Sequence, residues 1–93
     1  MNRVLNCRIL NDIINRNYNM QFIDNTNFII DLYLRLKLNY NIKSVVKQGW
    51  INGKSILYLQ IKNKIDIIHI YFIEEQLCIV NINKSDIVES RYK

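Results

Sequence analysis

The chain contains no alanine, no proline, only two glycines, two cysteines and a single histidine. These scarcities exclude several kinds of chemistry. His69 stands inside the apolar run "IDIIHIYFI", where it reads as a satisfied strand residue, and no second imidazole exists for a metal centre or a catalytic pair. Cys7 and Cys78 are far apart and lack the paired spacing of a zinc or redox motif, so they read as free thiols packed in apolar runs. There is no Gly-rich phosphate loop and no nucleophile elbow. Glu74 and Glu75 are adjacent and read as a solvated pair near a bend, not as a catalytic dyad. The chain is therefore expected to be no enzyme, and to use no metal, cofactor or small-molecule substrate. No apolar run approaches the ~18 residues of a membrane span, so a membrane is not expected among its partners.

What is present is 93 residues, 49% of them hydrophobic, crowded with Ile, Asn, Lys and Tyr. That hydrophobic fraction argues against intrinsic disorder. The length allows one domain, which buries only roughly 60–65% of its unfolded surface and so has a small stability margin. Thirteen Lys and Arg against eight Asp and Glu give a formal charge of +5, which favours a polyanionic partner. Residues with A+T-rich codons replace those with G+C-rich codons throughout, the mark of an organelle, a reduced endosymbiont or a virus. The opening "MNRVLNCRILNDIINRN" is amphipathic and bears Arg, as transit peptides are and do, but it lacks Ser and carries Asp12. It reads as mature structure.

Hydrophobic spacing orders the chain. Leu5, Ile9 and Ile13, flanked by Leu10 and Ile14, predict an amphipathic helix over 3–16. "NYNMQFI" alternates Tyr18, Met20 and Phe22 as a short strand would. "DNTN" offers N-cap residues before a second helix over 26–39. In "VVKQGWINGKSILYLQIK", Asn52-Gly53 between β-prone runs is a strong hairpin signal, because both turn residues must tolerate positive φ. Pairing across it sets Val46 opposite Leu59 and Gln48 opposite Leu57, an apolar face that a helix can cover, with Trp50 as a packing residue at its turn end. "IDIIHIYFI" and "QLCIVNI" predict two further strands. The fold class is α+β: two N-terminal helices packed on a small antiparallel sheet with a β-hairpin (1–62), followed by a C-terminal β-rich part (63–93). Lys and Arg are spread through both halves, and "NINKS" mixes a cation with short polar side chains, as phosphate and 2′-hydroxyl recognition requires. An ordinary loop fits that stretch equally well.

The order of elements and the closing "CIVNINKSDIVESRYK" together resemble the family of the eighth protein of the small ribosomal subunit, in a divergent and shortened form. "DNTNFIIDLYLRLKLNYNI" is similar to that family's second-helix stretch, with Thr26 and Asn27 at its Ser-Lys helix start, and "IKSVVKQGWINGKSILYLQIK" is similar to its hairpin. Asn81, Ile82, Asn83, Lys84 and Ser85 fall on the family's Ser-Thr-Ser-Lys-Gly loop, where only the lysine is identical. Asp12 and Ile14 fall where the family places arginines, so either Arg8 and Arg16 serve a similar role or that contact is lost. The family's Ser-Lys/Arg-Pro-Gly segment and its final glycine-rich strand have no counterpart. The resemblance implies a non-catalytic constituent of the small ribosomal subunit that contacts the central domain of small-subunit RNA and supports its assembly beside neighbouring ribosomal proteins. With the codon bias, it implies an organelle-encoded protein of a mitochondrial ribosome. Lys84, Arg91 and Lys93 would neutralise phosphates, Asn81, Asn83 and Ser85 would bond to 2′-hydroxyls or base edges, and Tyr92 would stack on a base. Arg8 and Arg16 on the first helix, with Thr26-Asn27, would form a second RNA face. The alternative expectation is a small phage or viral protein that binds and inhibits a host protein through an apolar patch. A small nuclease or toxin is opposed by the missing catalytic constellation.

Overall fold

The computed structural model describes residues 5–19 and 24–89. Helix α1 spans Cys7–Asn17 and α2 spans Asn25–Asn39; five strands follow, β1 Val45–Ile51, β2 Lys54–Lys62, β3 Ile67–Ile73, β4 Gln76–Asn81 and β5 Val88–Glu89. Each helix begins where a short polar side chain accepts an otherwise unpaired backbone N–H. Asn6 accepts from Ile9 at 2.9 Å, and Asp24 accepts from Asn27 at 3.1 Å. These caps explain the starts better than the apolar periodicity does, and they place α1 four residues later than that periodicity predicts. Tyr18 and Asn19 are not in a strand, and the rest of the expected strand between the helices lies outside the described residues.

The sheet is antiparallel throughout, in the order β4-β3-β2-β1-β5. The hairpin turns at Asn52 (φ 52°) and Gly53 (φ 79°), and its register pairs Val46 with Leu59 and Gln48 with Leu57, as the sequence predicts. Because strand side chains alternate, this register puts Val46, Leu57, Leu59, Ile61, Ile68, Ile70, Phe72, Leu77 and Ile79 on one face. Both helices cover that face: Leu10, Ile13 and Ile14 of α1 and Phe28, Ile29, Leu32 and Leu36 of α2 are buried against it. Each such side chain stabilises the fold by about 1.5–3 kcal/mol relative to an exposed one. Trp50 lies at the turn end of the same face and is half-buried.

The boundary at residues 62 and 63 falls in the short link between β2 and β3. These strands pair directly, and one apolar cluster joins the helices to both. The two stretches thus share a single sheet and core.

Candidate nucleic-acid interface

After β4, residues 82–89 do not trail into solvent. A 3₁₀ turn, Ile82–Lys84, leads the chain around the end of the strand, and residues 85–89 then cross the face that the helices leave bare, reaching the opposite edge as β5 beside β1. This strap covers a second apolar cluster of Ile51, Tyr58 and Tyr71, with Ile87 packed against it. Gly49 permits the crossing. A Cβ at that position would lie 2.6 Å from Ile87 Cγ2 and 3.1 Å from the Val88 carbonyl oxygen.

Polar contacts fix the strap. The Asp86 N–H donates to Tyr71 Oη at 3.2 Å, and Tyr58 Oη donates to Glu89 Oε2 at 3.1 Å, beside Lys47 Nζ at 3.6 Å. Burial, followed by the Glu89 charge, pushes the Tyr58 hydroxyl up to about 12. His69 is 2% exposed and bridges the layers. Its Nε2 lies 3.2 Å from Gln60 Oε1, and a carbonyl oxygen can only accept, so Nε2 carries the proton. Nδ1, 2.8 Å from Ser85 Oγ, therefore accepts the seryl hydroxyl, while the same oxygen accepts the Ile87 N–H at 3.2 Å. Desolvation lowers the His69 pKa from its ordinary 6.5 and keeps the ring neutral.

The residues expected to touch RNA are divided by this arrangement. Asn81 sits at the corner where β4 ends, against the first turn of α1, with Cys7 Sγ 3.7 Å from its Oδ1, and Asn83 and Lys84 follow it in the 3₁₀ turn. Burial and Asp66 push the Cys7 thiol up, and the nearby Lys84 ammonium pulls it down. Arg8, the next residue of α1, is exposed, as are Asn83 and Lys84, and Ile82 is 43% exposed. Arg16 is exposed eight residues further on, about 12 Å along the helix. Thr26 and Asn27 are exposed in the first turn of α2, at the other end of the sheet, where Asn25 Nδ2 donates to the Glu74 carbonyl oxygen of the β3–β4 turn. They do not join the corner. Ser85 is half-buried and spends its hydroxyl on His69 and Ile87. Arg91, Tyr92 and Lys93 lie outside the described residues.

Both cysteines are free and half-buried. Among the described residues there is no cluster of His, Cys, Asp and Glu able to hold a metal ion, and no helix long and apolar enough to cross a membrane. Sequence reasoning missed the strap. A single glycine within a strand is the signal that could have found it, since it marks a close backbone approach. Comparison of the chain with family models, curated proteins and solved structures returned no match.

Proposed function

We propose that the chain is a structural RNA-binding protein of the small ribosomal subunit, in a mitochondrial ribosome, and that it grips the central domain of small-subunit RNA beside neighbouring ribosomal proteins. One observation supports this reading above the rest. Asn81 meets the first turn of α1 at Cys7, and the exposed Asn83 and Lys84 follow it in the 3₁₀ turn, so a cation and short amides stand together where β4 ends. Phosphates take the cations, while the amides supply hydrogen bonds to 2′-hydroxyls and base edges. The chain's excess of basic residues adds general attraction to a polyanion.

Lys84 is exposed and holds its place through the backbone of the turn, so Lys84→Ala leaves the fold intact. It is expected to weaken binding to the RNA helix and to reduce the slope of log K against log salt by about 1. A slope equal to that of the unaltered chain would remove Lys84 from the interface.

A second reading, a viral protein that binds a host protein, is favoured by α2. Ile30, Leu34 and Leu38 recur every fourth residue on its outer side and are 43%, 45% and 75% exposed. Such an apolar stripe suits a protein surface. Purification separates the readings: an RNA-binding chain carries nuclease-sensitive nucleic acid with it, whereas the second reading expects a folded chain free of it.

A further inference from the structure

The strap closes only part of the sheet's second face. Where β1 begins and β2 ends, a depression of about 380 Å³ remains, lined by Lys43, Ser44, Val45, Lys47, Gln60 and Lys62. Val45 pairs with Gln60, and the two-residue period of the strands puts Lys47 and Lys62 on the same face as that pair. The groups offered here are donors. Three lysines line it beside a glutamine whose carbonyl oxygen is already committed to His69 Nε2, which leaves its amide N–H groups to donate. The Ser44 hydroxyl is buried and has no hydrogen-bond partner among the described residues. Glu89 is the carboxylate in contact with this rim, and Tyr58 and Lys47 already engage it.

Lys47 already meets Glu89, so Lys43, Lys62 and the Gln60 amide are the donors left to select an anion. Lys43 to Lys47 is four residues, which span about 13 Å of extended chain, a spacing suited to phosphates along a strand. Val45 is 56% exposed between them and offers an apolar surface to a ribose.

We propose that this depression binds the backbone phosphates of an RNA strand, as a second contact separate from the Lys84 corner and indifferent to sequence. The inference rests on the RNA-binding reading and extends it to the opposite face of the sheet. Hydrogen bonds tie this face together: His69 joins Gln60, which lines the depression, to Ser85 of the strap.

The test is an amide NMR titration of the full chain with the central-domain RNA helix, with a scrambled duplex and with inorganic phosphate, repeated on the K43Q/K62Q double variant. Lys43 and Lys62 are exposed, so the variant is expected to fold. Both RNAs are expected to shift the amides of 43–47 and 60–62 alike, and the double variant is expected to lose about 2 from the salt slope for both. Shifts confined to the Lys84 corner, with an unchanged slope in the double variant, would overturn this inference and leave the corner standing. Shifts at the depression alone would support it and remove the corner. Shifts there with inorganic phosphate but with neither RNA would make it a site for a free anion and overturn it. No shift with any of the three would overturn both.

Discussion

Folding removes His69 from water and surrounds it with Tyr58, Gln60 and Ser85, so the ring stays neutral to a lower pH than in the unfolded chain. Below about pH 6.5, therefore, the unfolded state binds the additional proton and stability falls as pH drops; above about pH 7 this contribution is constant. Urea unfolding followed from pH 5 to 8 is expected to show that decline, and His69→Gln is expected to flatten it. A parent chain whose stability does not change between pH 7 and 5 would contradict the buried neutral ring. The tyrosines act in the opposite range. Tyr58 and Tyr18, each pushed up to about 12, keep their protons when folded, so stability is expected to decline as pH rises above about 10. Tyr18 owes its shift to burial and to its hydrogen bond with Asp31.

The strap is the element on which the second face depends, and Gly49 is where it comes closest to the sheet. Gly49→Ala forces Ile87 and the Val88 backbone outward and is expected to cost about 1–3 kcal/mol. The check is a lowered urea midpoint together with faster hydrogen exchange at the Val88 and Glu89 amides; unchanged exchange there would show that the strap is held elsewhere. The other elements were far more legible than this one. Asn52-Gly53 determined both the hairpin and its register, because a two-residue turn with positive φ at both positions leaves the flanking strands one alignment. The apolar runs around His69 and Cys78 were equally plain as β3 and β4. "SDIVE" was not: it carries two apolar residues among polar ones, too few for a pattern, and its position follows from tertiary contacts with Gly49, Tyr58, His69 and Tyr71. For the same reason Ser85 looked like part of an RNA loop when its hydroxyl faces the imidazole. The adjacency of Asn81 to α1 was also illegible, since nothing local links residue 7 to residue 81.

At the scale of the molecule, one sheet has two unlike faces. The helices seal the first with an apolar core, and the strap seals half of the second, which leaves a lysine-lined depression there and a cationic corner where α1 meets the end of β4. A chain of this size has little stability to spare, so a ligand that binds only the folded form raises its melting temperature. The central claim is that these surfaces recognise ribosomal RNA, and the most direct measurement is a salt-dependent binding titration of the purified, nuclease-treated chain. The RNA is the central-domain helix of its own genome's small-subunit RNA, and a scrambled duplex of equal length is the control. The account predicts tight, salt-sensitive binding that prefers the cognate helix. Equal weak binding to both RNAs by a chain already well folded alone would contradict it and favour a protein partner on the α2 stripe.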